Sequence, residues 1–334
     1  MKSLLTTIAS LFILTISSSG QSAKYIFYKK IPLTGDGGYD YLFVDQNNQR
    51  LYVSHGNKVH AINLSNLNEI GSIDSLQGVH GIAVVAELKE GFISDGRANS
   101  VRVFDLNSLK TISTIPLSGK NPDAITYDPY SKKIFAFNAG SNNVSIIDPA
   151  SKKETAVIEL GGAPEFAVPD GHGKIFNNLE DKSALVVLNT QTMKLEKTYP
   201  LSPCAGPTGL AMDLSDKRLF TVCRENKGMS VVDMTNGNVI TTLPIGAGVD
   251  AVAYDAGSKL IFTSNGEGNV TIIRQQSPDK YEVIQTLPTQ ARARTMALDL
   301  KTHTVFLSVA EADPVTRKIK PGTFSLLVYK MQGQ

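Results

Sequence analysis

Tryptophan is absent from this 334-residue chain, cysteine occurs only twice, and 33 basic residues stand against 31 acidic ones. Each scarcity removes a class of function. Without indole there are no broad aromatic platforms of the kind that stack sugars or enclose quaternary amines. A formal charge of +2 sets up no global field to draw in a nucleic-acid backbone or an anionic membrane. The two cysteines exclude a disulfide-dense scaffold, and no CxxC spacing offers a thiolate metal site. Enzyme signatures are missing too: there is no GxSxG elbow, no GxxxxGK[ST] phosphate loop, no GxGxxG after a strand and no CxxCH for haem attachment.

Long apolar runs are equally scarce. The one that stands out is Leu4 to Ile16, after Met1 and Lys2 and before Ser18-Ser19-Gly20. It is too short to cross a bilayer comfortably, so a signal peptide over residues 1–20, cut before Gln21, is the better reading than a retained anchor. No cysteine follows the cut, which argues against a lipoprotein. The mature chain, residues 21–334, is therefore expected to be periplasmic or secreted, a single domain and a monomer.

What the chain does have is a repeat. Asn121 to Leu160, NPDAITYDPYSKKIFAFNAGSNNVSIIDPASKKETAVIEL, carries four short alternating segments separated by turn residues. Its register recurs at Asp40, His80, Asp123, Glu165, Thr208, Asp250 and Arg294, each five places before the end of a first strand, with spacings between 40 and 44 residues. A second register, the last residue of the second strand, falls at His55, Asp95, Asn138, Leu179, Cys223, Asn265 and Val309 with the same period. Four strands per unit of this length predict an all-β, seven-bladed propeller of four-stranded antiparallel blades. The seventh unit has three strands only, and Tyr25 to Leu33 (YIFYKKIPL) reads like the closing strand of other units. Donation of that N-terminal segment to the last blade would close the ring and leave no open edge between first and last blades.

Segments such as RLYVSHGNKVHAINL, KIFAFNAGSNNVSIID and LIFTSNGEGNVTII resemble the YVTN β-propeller repeat, and the chain from Tyr25 to Lys330 is similar to exported YncE-like proteins. The resemblance implies the fold. It implies no single activity, since such rings include ligand-binding proteins, a member reported to bind single-stranded DNA, lactonases and an antibiotic lyase.

Both registers are expected on one face, as the inner and outer rings of a funnel. The inner ring holds four carboxylates, a histidine and an arginine where scaffold positions two residues on stay apolar. Converging carboxylates repel unless a cation, a proton or an arginine compensates. Three uses follow: ion pairing across the channel, a polar or cationic ligand site with a possible divalent metal ion such as Ca²⁺, or catalysis with His80 as general base between Asp40 and Asp123 in a lactonase-like hydrolase or lyase. The ligand-contact set expected on this reading is Asp40, His55, His80, Asp95, Arg97, Asp123, Asn138, Glu165, Glu180, Asp250, Asn265 and Arg294. His55 and His80 with Asp40 or Asp95 form a further metal alternative.

The partner is read as a small polar ligand or a protein on the funnel face. Assembly scaffolding and single-stranded DNA binding remain alternatives, the latter opposed by the acidic ring. Cys204 and Cys223 fall in one unit, and an even count in an exported chain favours a disulfide over a buried free pair. The insertion Glu311 to Gly322 reads as a mobile flap or a disordered loop.

Overall fold

An aspartate explains the punctuation of the repeat. Asp128 ends the first strand Pro122–Asp128 of the third blade, and its buried carboxylate accepts hydrogen bonds from Tyr130 N at 3.3 Å, Ser131 N at 3.1 Å and Ser131 Oγ at 2.7 Å. Such a turn satisfies amides that the strand corner would otherwise leave unpaired. Asp45, Asp170, Asp213, Asp255 and Asp299 cap the equivalent corners. Third strands close on the same device from Asn63, Asp105, Asp148, Asn189 and Asp233. Blade two lacks the first-strand aspartate, and a 3-10 turn at Ala86–Leu88 takes the corner instead. Asp128→Ala removes one acceptor from three donors in a buried place, so a loss of about 1–3 kcal/mol is expected. Urea unfolding reads it, and an unchanged midpoint would contradict this account of the turn.

The computed structural model describes residues 24–333. Between these corners the chain forms seven four-stranded antiparallel sheets, the strands of each in chain order except in the last. Blade three is typical: Pro122–Asp128, Lys133–Asn138, Asn143–Asp148 and Lys153–Glu159 run from the axis outward. Its second strand, IFAFN, is buried on both faces because a blade lies on either side. Phe92, Val101 and Val103 of blade two thus meet Ile134, Ala136 and Ile147 of blade three in one cluster. The outermost strand is largely exposed.

The ring closes as the sequence pattern implies. Tyr25–Pro32 pairs antiparallel with Ser325–Met331, which pairs with Thr304–Val309, which in turn pairs with Met296–Asp299. Tyr25 is fully buried, edge-on to Phe262 of blade six at 5.0 Å, and its backbone N and O bond the Gln285 side chain. The insertion differs from expectation. It is a small hairpin, with a bridge between Ala312 and Ile319, and Gly322 N bonds Asp36 Oδ1 at 3.0 Å. Ile319 packs against the cluster containing Phe324, which anchors a segment whose charged sequence suggested a loose flap. The leader assigned to residues 1–20 lies outside the described residues, among which no helix is long and apolar enough to cross a membrane.

Candidate functional site

Where the first strand reaches the channel its pairing slips. The register shifts between Tyr39 and Leu42, Val79 and Ile82, Pro122 and Ile125, Pro164 and Ala167, Pro207 and Leu210, and Val249 and Ala251. A bulge of this kind frees residues from the ladder and re-aims their side chains. The freed residues include Asp40, His80, Asp123, Glu165, Thr208 and Asp250, which is why the inner register carries chemistry while its neighbours carry packing.

These side chains form two groups. In the first, His80 Nδ1 donates to Asp40 Oδ2 at 2.6 Å and lies 3.5 Å from Asp123 Oδ1. One donor atom from each of Asp40, His80 and Asp123 lies within 4.8 Å of the others. In the second, Asp250 is gripped from both sides: Arg294 Nη1 reaches its Oδ2 at 2.7 Å, and Arg224 pairs with its Oδ1 while holding Glu180 at 2.8 Å. Glu165 stands between the groups, coupled by charge to Asp123, Glu180 and Asp250. Thr208 is fully buried, its hydroxyl without a hydrogen-bond partner.

The crowding decides protonation. Burial, then the Asp40 charge, pushes Asp123 up to about 7, against the pull of His80 and Arg294. Burial, then Asp123, Glu180 and Asp250, pushes Glu165 up to about 9. Burial also raises Asp250, with Arg294 and Arg224 working against it. For His80 burial disfavours the charge, yet the bond to Asp40 and the fields of Asp123 and Asp40 outweigh it, so its pKa rises. The opposed charges therefore largely offset one another: His80 lies between Asp40 and Asp123, two arginines hold Asp250, and Glu165 keeps its proton at neutral pH.

Sequence reasoning missed two residues here. Tyr41 and Phe166 are second bulge residues, and their rings meet at 4.5 Å. The Tyr41 hydroxyl is held well above its usual pKa by burial and then by Asp123, Glu165 and Asp40. Equivalent positions elsewhere are Gly81, Ala124, Gly209 and Ala251, so two aromatics in a column of small residues were the available signal. On the funnel side, a cleft of about 1000 Å³ is lined by Asp40, His80, Arg97, Asn121 and Arg294. A separate cavity of about 450 Å³, lined by Tyr41, Phe166 and residues farther along the first strands, faces the other way.

Four of the expected contacts, all from the outer register, are not brought to the channel with the inner ring. His55 is buried, stacked on Phe324 at 3.7 Å and on His60 at 5.8 Å, and burial followed by His60 lowers its pKa to about 4. It does not join His80, so the two-histidine metal alternative falls. Asp95 is buried and spends Oδ1 on Gln77 N and Gly78 N, both at 2.8 Å. Asn138 bonds Asn143 and Ser145, and Asn265 bonds Asn269 and Thr271. The physical reason is register: each pairs with the residue just before the bulge and so stays in the ladder between the first and second strands of its own blade. Arg97 is exposed in the cleft, and Glu180 reaches the site through Arg224. Cys204 and Cys223 form a buried disulfide.

Fold and site together define a seven-bladed β-propeller of WD40-like architecture with an acidic, histidine-bearing channel mouth. The RRP9 WD40 repeats superpose with a TM-score of 0.78 at 8% identity, covering 91% of this chain and 97% of that one. A chain of Kuenenia stuttgartiensis hydrazine synthase gives 0.71 at 14% identity, covering 90% and 97%. These likenesses establish the fold alone. No protein-family profile matches. In sequence the chain is 24% identical over 189 residues to Antigen Lp49 of Leptospira interrogans serogroup Icterohaemorrhagiae serovar copenhageni (strain Fiocruz L1-130), a match over 54% of this chain and 41% of that protein.

Proposed function

We propose that this chain is an exported binding propeller of the YVTN-type, YncE-like kind, whose funnel takes a small polar ligand through a divalent cation held by Asp40, His80 and Asp123. The observation that carries the reading is the convergence of those three donors. Asp123 Oδ1 is moreover buried with no hydrogen-bond partner and lies 3.5 Å from His80 Nδ1, which leaves its lone pairs available to an ion. One imidazole with two carboxylates suits Mn²⁺ or Zn²⁺ better than Ca²⁺, which takes six to eight oxygens. Bound there, the ion would supply positive charge to polarise or anchor an oxygen of the ligand. Export is supported by the leader-like residues 1–20 and by the buried disulfide, a bond that persists in oxidising compartments.

Titration calorimetry of chelator-treated protein with Mn²⁺ and with Zn²⁺ tests this. Saturable binding is expected, weakened at least about tenfold by Asp123→Asn. Binding must expel protons from His80 and Asp123, so affinity should climb as pH rises through about 7. The absence of heat with either ion would overturn the reading. A second reading, hydrolysis or lysis, rests on the 2.6 Å Asp40–His80 pair, which has the form of a base and its orienting carboxylate. Turnover of a lactone panel that His80→Ala abolishes without unfolding the protein would favour it.

A further inference from the structure

Beside the acid cluster, in the sector where blades six, seven and one meet, lies a cavity of about 400 Å³ with a different character. Gly38, Gly248 and Gly266 form much of its wall, Ile319 of the insertion hairpin closes one side, and Arg292 and Arg294 face it. Three glycines leave the wall without side chains. The two guanidiniums are the only charged groups that line it.

Arg292 is placed by design of the backbone. Its φ of 75° is left-handed, as at many turns of this chain. The backbone is held on both sides: Arg292 N bonds Gly266 O at 2.7 Å, and the Tyr39 hydroxyl donates to Arg292 O at 2.9 Å. Among the described residues, however, the Arg292 side chain makes no hydrogen bond. Its Nε is buried without a hydrogen bond, and Arg292 takes part in none of the ion pairs among the described residues, although Glu311 and Asp313 line the adjoining cavity of about 310 Å³ with it. Arg294 is paired, but it shares Asp250 with Arg224. Arg224 and Arg294 are thus engaged by Asp250 and Glu180, while Arg292 pairs with no carboxylate among the described residues.

A buried guanidinium donor without an acceptor is costly unless a ligand supplies one, and the planar fork of arginine matches an oxyanion. We propose that this cavity is an oxyanion site, in which Arg292 and Arg294 hold the carboxylate or phosphate end of a small organic ligand. Gly38, Tyr39 and Arg294 line both this cavity and the larger cleft, so a ligand anchored here extends toward Asp40 and His80. Ile319 offers it one apolar contact. The site does not depend on a metal at the triad.

Calorimetry at low salt, with succinate in one arm and inorganic phosphate in the other, separates the two kinds of oxyanion. Saturable binding of at least one probe to the chelator-treated protein is expected, at least tenfold weaker in Arg292→Gln. Gly38→Leu gives a steric test that touches no charge: a Cβ at Gly38 meets nothing within 4 Å, and a larger side chain there narrows the passage between this cavity and the larger cleft, both of which Gly38 lines. It too should weaken binding at least tenfold. If neither probe binds, or if either of the Arg292 and Gly38 variants binds as tightly as the parent, the proposal is wrong. Should Arg292→Gln fail to fold, the Gly38 variant alone decides it.

Discussion

A chain lacking residues 24–33 should lose its cooperative thermal transition altogether. Tyr25–Pro32 is the outer strand of blade seven, but its effect reaches past that sheet. Tyr25 belongs to the cluster that joins blades six and seven through Phe262, Leu287 and Leu307, and Leu33 to the one that joins blades seven and one through Leu51 and Phe306. Losing a buried aromatic costs about 3–5 kcal/mol and a buried leucine about 2–5. A native protein has only about 5–15 kcal/mol in hand. The deletion also bares the edge of Ser325–Met331, whose residues Leu326, Leu327 and Val328 are apolar, and an open edge of this kind recruits other chains. Circular dichroism should give a broad, shallow melt, and size exclusion should give aggregates. A sharp transition within a few degrees of the parent would mean that the ring closes without this strand. Tyr25→Phe is the matching control. The Tyr25 hydroxyl is buried with no partner, so its removal should leave stability equal or higher.

The fold was legible because its determinants are local. Asp128 and its counterparts mark corners at a fixed place in every unit but one, and a period read from them needs no knowledge of what packs where. The inner ring was legible for the same reason, since the bulge recurs with the repeat. Less legible was which face a strand end presents. His55 and Asp40 sit near the same rim, yet one extra residue in the opposing strand turns Asp40 into the channel and leaves His55 stacked on Phe324. Arg224 illustrates a different limit. It stands out in the sequence as an unusual turn residue beside Arg97 and Glu180, but nothing local tells that it swings across to Asp250, 26 residues on. Contacts between blades depend on ring geometry, which no single unit encodes.

Glu165→Gln should stabilise the metal-free protein above about pH 6, and the sign follows from proton counting. The unfolded carboxyl releases its proton near 4.5, whereas burial and three neighbouring acids hold the folded one up to about 9. Below 4.5 both states carry the proton and nothing is at stake. Between 4.5 and 9 the folded state binds more protons than the unfolded one, so stability falls as pH rises, by at most about 1.4 kcal/mol per unit. Asp123 adds the same slope up to about 7. His80, raised by its carboxylates, gives stability that is full below its unfolded value of 6.5 and is lost as pH climbs through the folded one. Carboxylates held low, such as Asp148 at about 2, act only in the opposite window and lose their contribution as pH drops below 3.8. The parent should therefore melt several degrees lower at pH 8 than at pH 5, and the glutamine variant, with no proton to surrender at that site, should lose a good part of the slope. A gain on the order of 1–3 kcal/mol at pH 8 corresponds to roughly 2–6 °C in a domain of this size. Differential scanning calorimetry from pH 5 to 9 decides it, and a variant that melts below the parent at pH 8 would refute the account. Saturating Mn²⁺ or Zn²⁺ should raise the parent's melting temperature most at the alkaline end, where protons no longer compete for the same oxygens. Deleting an acid that lowers stability is the signature of a site shaped by what it binds.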